Sequence, residues 1–276
     1  MVWTRLVPRA LRPRLIVELH GDWRTAAQGY GGGGLRARIG PLADRAARWA
    51  LRHADAVRVI SGFTEELARE AGVRVPIDRY MTFTDGTSLL QVATLTPPRE
   101  ARVAYIGALE HVKGIDVLME AWRAVRRRVP DATLVIAGDG DLRERVARDA
   151  TGLGVELLGA VPHAQVSSVL DAARFLVVPS RSEGLGRVVW EAFARARPVI
   201  GSAVGGIPEL VVEGVTGVLV PPGDTDALAD AIVTALEDEA ATAAMGDRAR
   251  QAAERRDPGR EFEEGIARLA AWVGGR

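Results

Sequence analysis

FLVVPSRSEGLGRVVWE, residues 175–191, joins a short apolar segment to a mostly apolar helical segment through a loop with two glycines. The four residues 175–178 have the length and composition of a strand buried on both faces. Glycines in the loop let the backbone approach a ligand closely, and the free N–H groups at a helix start suit phosphate oxygens. The stretch therefore predicts a strand–loop–helix unit of an α/β sheet with a ligand at the loop.

The same alternation extends over the chain on both sides of this stretch. Strands are predicted at 102–106, 133–137, 155–158, 175–178, 198–201 and 217–220. Helices are predicted at 115–128, 142–150, 164–173, 187–196 and 225–236. Short buried strands that alternate with helices indicate a doubly wound parallel sheet. Ligands of such sheets lie beyond the carboxyl ends of the strands, so we expect the chemistry in the loops that follow them.

The first hundred residues show a shorter version of this pattern. Strands at 15–19, 56–60 and near 80–84 enclose helices at 41–53 and 63–72. Three strands are fewer than the about six of a full nucleotide-binding sheet. We therefore predict an incomplete Rossmann-like domain over 1–97, a complete one over 98–256, and a C-terminal segment 257–276. Its helix at 260–273 is expected to pack back toward the N-terminal domain.

Composition excludes several classes of protein. The 276 residues carry 36 basic and 36 acidic side chains and no cysteine. A neutral chain lacks the basic footprint of a nucleic-acid-binding protein, and disulfides and thiolate metal sites are ruled out. No segment reaches the roughly 18 apolar residues of a membrane span. Arginine and proline interrupt residues 1–19, so we expect no signal peptide and a cytoplasmic location.

Arginines are concentrated at the start of the chain. Arg5, Arg9, Arg12 and Arg14 fall within the first fourteen residues. This cluster is compatible either with peripheral contact to anionic lipid at the inner face of the cell membrane or with a solvated chain end.

Lys113 is the only lysine of the chain; the other 35 basic residues are arginine. It lies in the segment GALEHVKG, residues 107–114, between a predicted strand and a helix that begins near Ile115. The amino end of a helix disfavours a cation unless both share an anion, and backbone N–H groups there already bind phosphate. Lys113 is therefore either a phosphate-binding ammonium or a solvated surface lysine, and its position favours the first.

Two carboxylates accompany the loop after residue 178. Glu183 lies in the loop, and Glu191 follows eight residues later, about two helical turns along. Spaced in this way they would reach different parts of one extended ligand that carries hydroxyl groups. The alternatives are helix capping for Glu183 and a buried structural carboxylate for Glu191.

An ordered set of motifs resembles the retaining GT-B glycosyltransferases of glycosyltransferase family four, the glycosyl transferases group one. The motifs are GALEHVKG at 107–114, AGDGDL at 137–142, LGAV at 158–161, residues 179–191, PVI at 198–200, GGIPE at 205–209 and GVTG at 214–217. The resemblance is close over residues 100–235 and loose over 15–90. It implies an α/β protein of GT-B type with two Rossmann-like domains, of which the N-terminal one is incomplete.

The resemblance also implies roles for individual residues. Lys113 would neutralise the donor diphosphate, Glu191 would hold the ribose, and Glu183 would hold the donor sugar. His20, which on its own would be interpreted as structural, matches the histidine that faces the donor sugar across the cleft. The remaining donor-binding positions implied by the resemblance are Gly107, Val161, Gly184, Leu185 and Gly186.

The implied reaction moves a hexose from a UDP- or GDP-linked donor to a hydroxyl of a glycan, lipid or small molecule. It would retain configuration and use no metal or other cofactor. Asp139 and Asp141 resemble an Asp-x-Asp metal motif, but their position matches the ordinary turn of the family. A nicotinamide-dependent oxidoreductase is disfavoured because the 107–114 loop lacks the Gly-x-Gly-x-x-Gly spacing.

The main departure from the family is Ala108, which stands where relatives carry a second diphosphate-binding arginine. Arg181, Arg187 or another guanidinium would have to replace that charge. Together with the missing N-terminal strands, this departure leaves an alternative function, a non-catalytic nucleotide-sugar-binding or interaction module of GT-B fold.

Overall fold

The computed structural model describes residues 14–25, 35–80, 86–91, 93–256 and 258–274. The strands are β1 (Ile16–Leu19), β2 (Ala56–Val59), β3 (Ile77–Arg79), β4 (Arg102–Ile106), β5 (Thr133–Ala137), β6 (Val155–Gly159), β7 (Phe175–Val178), β8 (Val199–Ser202) and β9 (Gly217–Val220).

The helices lie between the strands and after the last strand along the chain. They are α1 (Leu35–His53), α2 (Gly62–Glu70), α3 (Gly86–Gln91), α4 (Ile115–Arg128), α5 (Arg143–Asp149), α6 (Val166–Asp171), α7 (Arg187–Ala194), α8 (Ile207–Leu210), α9 (Thr225–Glu237), α10 (Glu239–Glu254) and α11 (Pro258–Gly274). Short 3₁₀ turns at His111–Lys113 and His163–Gln165 precede α4 and α6. None of the helices in the described segments combines the length and apolar character needed to cross a membrane.

The larger sheet has six strands in the order β6-β5-β4-β7-β8-β9, and every neighbouring pair is parallel. Numbered within this sheet the order is 3-2-1-4-5-6, the doubly wound order whose direction reverses between β4 and β7. The strands predicted from the sequence are confirmed, with ends shifted by at most one residue. The ligand crevice of such a sheet lies at the reversal, beyond the ends of β4 and β7.

Two apolar cores cover the two faces of this sheet. Along β4, Val103 and Tyr105 face one core while Ala104 faces the other. Trp122 of α4 belongs to the first core and Trp190 of α7 to the second. Successive side chains of a strand point to opposite faces, so burial on both faces requires the uninterrupted apolar runs seen in the sequence.

Within the part of the chain that the structure describes, the N-terminal sheet has three parallel strands in the order β1-β2-β3. β3 is residues 77–79 and pairs with Val57–Val59 of β2, so it precedes the segment near 80–84 where the sequence predicts a strand. Tyr80 lies beyond the last paired residue, and residues 81–84 are outside the described residues.

Helix α11 lies against the N-terminal sheet. The guanidinium of Arg58, which is buried in β2, donates to the carbonyl of Gly265 at 3.2 Å. Arg268 donates to a carboxylate oxygen of Asp78 at 2.6 Å and to the carbonyl of Arg79 at 3.0 Å. The C-terminal helix therefore returns to the first domain and ties it to the second.

Candidate functional site

The loops that follow β4 and β7 pack backbone against backbone. Gly114 has φ +68°, and a Cβ at this position would lie 1.9 Å from the carbonyl oxygen of Pro179. Only glycine allows both that conformation and that approach. The amide of Arg181 donates to the carbonyl of Val112 at 2.9 Å. The turn that carries Lys113 is therefore fixed to the loop of residues 179–186.

Arg181 completes this attachment through its side chain. Its guanidinium binds both carboxylate oxygens of Asp116, at 2.6 and 2.9 Å, and the carbonyl of His111 at 2.7 Å. Burial acts to raise the pKa of Asp116, but the hydrogen bonds and charge of Arg181 outweigh it and hold that pKa below its ordinary value. Arg181 is thus engaged with Asp116 rather than placed as a replacement for the arginine missing at position 108.

A cavity of about 450 Å³ opens at the reversal of strand order. Six of the residues predicted for donor binding line it: Gly107, Lys113, Val161, Glu183, Gly186 and Glu191. These six residues lie in segments that follow β4, β6 and β7, and the sheet brings the carboxyl ends of these three strands to one edge. The structure therefore joins, in one site, residues as distant in sequence as 107 and 191.

Inside the cavity Lys113 and Glu183 form an ion pair. Nζ of Lys113 lies 2.9 Å from Oε2 of Glu183, and Oγ of Ser180 donates to the same oxygen at 3.3 Å. The carbonyl oxygen of Glu183 packs closely against the backbone of Gly205, so closely that a Cβ at position 205 would lie only 1.7 Å from it. Glu183 is therefore positioned through both its side chain and its backbone.

Glu191 occupies the buried side of α7, with only 6% of its side chain exposed. Its Oε1 accepts from Nε2 of His163 at 2.9 Å and pairs with Nε of Arg187 at 3.0 Å. Sequence reasoning did not select His163, although its place four residues after Gly159 and close to Val161 is a usable signal. Arg187 was considered only as a phosphate ligand, yet its spacing of four residues from Glu191 predicts this pair.

Gly184 and Leu185 do not line the cavity. The side chain of Leu185 is buried in one of the two cores. Gly184 contacts the other domain, since a Cβ there would lie 2.0 Å from the carbonyl oxygen of His20. Thr25 adds a hydroxyl contact of 3.3 Å to Ser182. The loop after β7 thus forms the junction between the domains as well as one wall of the cavity.

His20 follows β1; its carbonyl lies at this junction, but the residue is not among those that line the cavity. Its Nε2 lies 3.3 Å from the hydroxyl of Tyr80 and 3.4 Å from Oε2 of Glu18. Desolvation by burial, followed by the charge of Glu18, raises the pKa of Tyr80 to about 12, so its phenol keeps its proton at neutral pH. For Glu18, hydrogen bonds with Tyr80, His20 and Arg58 outweigh the opposing effect of burial and lower the pKa. The imidazole is therefore flanked by a proton donor and a carboxylate.

Glu209, which was not selected as a site residue, links the domains at a second point. It belongs to α8, and its carboxylate accepts from the amides of Gly62 and Phe63 at 3.0 and 2.9 Å. These amides form the start of α2 in the N-terminal domain. Arg79 forms an ion pair with the same carboxylate. Glu209 thereby couples the GGIPE loop to the N-terminal sheet.

Asp139 lines the cavity, but its carboxylate is satisfied locally. It accepts from the amide of Gly140 and from Arg143, both at 2.8 Å. Among the described residues, no group of three acidic, histidine or cysteine side chains is placed to hold a metal ion. The geometry is that of a turn in which aspartate bonds to the following backbone.

Curated relatives of the chain are glycosyltransferases. An alpha-D-kanosaminyltransferase of Streptomyces kanamyceticus is 31% identical over 215 residues, which is 72% of this chain and 55% of that protein. A D-inositol 3-phosphate glycosyltransferase of Corynebacterium glutamicum is 37% identical, over 52% of this chain and 37% of that protein. The chain thus spans about half or less of the length of these relatives.

Solved structures show the same architecture. Sucrose-phosphate synthase of Thermosynechococcus elongatus superposes with a TM-score of 0.75 and 26% identity, over 94% of this chain and 67% of that one. The Anabaena protein HepE, solved in complex with UDP and glucose, superposes with a TM-score of 0.74 and 25% identity, over 94% and 72% of the two chains.

Family models account for most of the sequence. One described as glycosyl transferase 4-like domain matches residues 1–83, and one described as glycosyl transferases group 1 matches residues 100–238, about half of the chain. The motifs, the strand order and these matches agree: the chain belongs to the glycosyl transferases group 1 family and has the GT-B fold.

Proposed function

We propose that the chain binds a nucleoside-diphosphate hexose in the cavity between β4 and β7 and transfers the hexose to an acceptor hydroxyl. The observation that carries the proposal is that an ammonium (Lys113) and two carboxylates (Glu183 and Glu191) line one cavity at the end of a doubly wound sheet. Such a set matches a ligand that combines a diphosphate with two hydroxyl-bearing rings.

Each group has one part of the donor to bind. Lys113 receives the diphosphate, with backbone N–H groups at the start of α7 as further donors. Glu191 accepts from the ribose, and the segment at Val161 lies against the base. Glu183 accepts from hydroxyls of the sugar, and His20 faces the sugar from the N-terminal domain. The proximity of Gly184 to the His20 carbonyl supports this last placement.

The proposed step breaks the bond between the anomeric carbon and the diphosphate oxygen and forms a bond to the acceptor oxygen. The acceptor attacks the face that the diphosphate leaves, through an oxocarbenium-like state, and configuration is retained. The acceptor proton passes to the departing diphosphate. Lys113 stabilises the charge that develops on that group, in the role that a metal ion fills in other transferases. A UDP-linked donor is supported by the UDP and glucose bound to HepE.

A second candidate, a nucleotide-sugar-binding module without turnover, is favoured by Ala108, because the second diphosphate-binding arginine that the resemblance implies is replaced there. A cytoplasmic location and a peripheral contact with anionic lipid remain predictions of the sequence. Arg5, Arg9 and Arg12 lie outside the described residues.

Calorimetric titration of the purified chain with UDP and GDP, followed by incubation with UDP- and GDP-hexoses, tests these candidates. Release of the nucleoside diphosphate together with a glycosylated acceptor supports transfer, and the anomeric coupling in the product's NMR spectrum reports retention or inversion. Binding without release supports the module. Failure of both nucleotides to bind contradicts both.

A further inference from the structure

We propose that His163 and Arg187 are positioning residues that orient the carboxylate of Glu191 for the ribose hydroxyls of the donor nucleotide. The inference rests on the proposed function, since it concerns the nucleotide part of the same cavity. It adds two residues whose effect is exerted through Glu191 and is therefore specific for ribose over deoxyribose.

The first observation is that both residues bind the same carboxylate oxygen. Nε2 of His163 lies 2.9 Å and Nε of Arg187 lies 3.0 Å from Oε1 of Glu191. The hydrogen bond from His163 and the ion pair with Arg187 act on one oxygen and together restrict rotation of the carboxyl group about its last bond. They also compensate the burial of a carboxylate that retains only 6% of its side-chain exposure.

The second observation concerns the other oxygen. Oε2 of Glu191 accepts no hydrogen bond from any residue of the described segments, and it is not one of their buried side-chain atoms that lack a partner. Oε2 is therefore accessible rather than sealed in the protein, and a ligand in the cavity that Glu191 lines can reach it. Lys113, the ammonium of the cavity, is already paired with Glu183. A hydroxyl group of a ligand is the donor that suits a single carboxylate oxygen at this wall.

The third observation is where the two positioning residues come from. Arg187 is the first residue of α7, one turn before Glu191, whereas His163 belongs to the 3₁₀ turn after β6. Both line the cavity, and their side chains remain 59% and 41% exposed. Neither contributes to a core, so substitution removes the contact with Glu191 while the sheet and helix keep their packing.

The test compares a ribonucleotide with an analogue that lacks the hydroxyls. Affinities of UDP, GDP and their 2′,3′-dideoxy counterparts are measured by calorimetry for the wild-type chain and for His163→Ala and Arg187→Ala. We expect each variant to weaken the ribonucleotide that binds by roughly 10-fold, the scale of one charge-assisted hydrogen bond. The dideoxy analogue should change by less than about 2-fold, because it makes no contact with Glu191 to lose.

Two further variants separate positioning from a general structural role. His163→Gln keeps an N–H donor near the position of Nε2, so it should recover most of the lost discrimination. When Glu191→Gln is already present, adding His163→Ala should produce little further loss of ribonucleotide affinity, since both changes act on one interaction. Arg148→Gln on α5, which breaks only an exposed pair with Glu144, serves as the control and should leave both affinities unchanged.

The inference is overturned if His163→Ala and Arg187→Ala weaken the ribonucleotide and the dideoxy nucleotide equally, or weaken neither. That result is distinct from failure of the proposed function, in which the wild-type chain binds neither UDP nor GDP. In the latter case the inference falls with the function on which it rests.

Discussion

Nζ of Lys113 lies 2.9 Å from Oε2 of Glu183, although the two residues are 70 positions apart in the sequence. The ammonium proposed for the diphosphate and the carboxylate proposed for the sugar therefore neutralise each other at one point of the cavity. Each charge partly neutralises the electrostatic effect of the other. Substitutions at the two positions should therefore affect nucleotide binding in opposite directions.

Lys113→Ala should lower the affinity for UDP or GDP by roughly 10- to 100-fold, because a charge-assisted contact with phosphate contributes about 1.5–3 kcal/mol. The corresponding nucleoside should bind equally well to both proteins, since it carries no phosphate. Calorimetric titration measures the two affinities. Unchanged diphosphate affinity in the variant would rule out Lys113 as the phosphate ligand.

Glu183→Gln should leave UDP or GDP affinity unchanged or raise it by up to about 3-fold, because the ammonium of Lys113 loses its competing partner. Hexose transfer should fall by roughly 100-fold, as expected when a group that binds the reacting sugar is removed. Nucleotide release assays and titrations give the two readouts. A parallel loss of nucleotide affinity and transfer would show that Glu183 supports the loop rather than the sugar.

Gly184→Ala should separate nucleotide binding from transfer. A Cβ at Gly184 would lie 2.0 Å from the carbonyl oxygen of His20, so the junction between the domains must open. We expect nucleotide affinity within about 3-fold of wild type, transfer largely abolished, and stability reduced by about 1–3 kcal/mol. Gly21→Ala, whose Cβ meets open space beside the same strand end, is the matched control. Equal transfer rates for the two variants would contradict the prediction.

Asp116→Asn should produce a pH-dependent loss of stability. The pKa of Asp116 is lowered in the folded chain, so its contribution is fully present above the ordinary value of 3.8 and disappears as the pH falls through the folded-state value. At pH 7 we expect a loss of about 1–3 kcal/mol, because the bidentate bond with Arg181 is broken. The difference from wild type should shrink below about pH 4. Urea unfolding at pH 7 and at lower pH measures it, with the exposed Asp131→Asn as the control.

Glu209→Gln should loosen the N-terminal domain. The substitution removes the negative charge that two amides at the start of α2 and the guanidinium of Arg79 share. We expect a loss of about 1 kcal/mol, the usual scale of a helix-capping contact. Limited proteolysis measures this loosening: the variant should be cleaved faster than the wild type, while its nucleotide affinity stays unchanged. Glu263→Gln on the exposed side of α11 should behave as wild type.

The C-terminal sheet could be predicted because its central strands, β4, β5, β7 and β8, are mostly buried on both faces. Residues 103–106 and 175–178 are uninterrupted apolar runs, the composition typical of a strand buried in a parallel sheet. The strands of the N-terminal sheet were harder to predict from the sequence. The pairing of β3 with β2 is set by long-range register, which local composition does not reveal, so the sequence did not predict a strand at 77–79.

Some of the residues that line the cavity could also be predicted from the sequence. Lys113, Glu183 and Glu191 were identified because each stands in a short motif next to a strand end. His163 and Glu209 were missed because their roles depend on partners 28 and 146–147 positions away, Glu191 for the first and the amides of Phe63 and Gly62 for the second. Local spacing carries no information about such pairs.

By itself the sequence determined the family, the alternation of strands and helices, and the residues that carry charge at the strand ends. These depend on hydrophobic periodicity and on motifs within about ten residues, which are local properties. Only the tertiary structure decided that Lys113 pairs with Glu183, that Arg181 is engaged by Asp116, and that Gly184 is set against His20. Those contacts arise where loops from different strands meet at one edge of a sheet, and their distances are fixed by packing rather than by sequence separation.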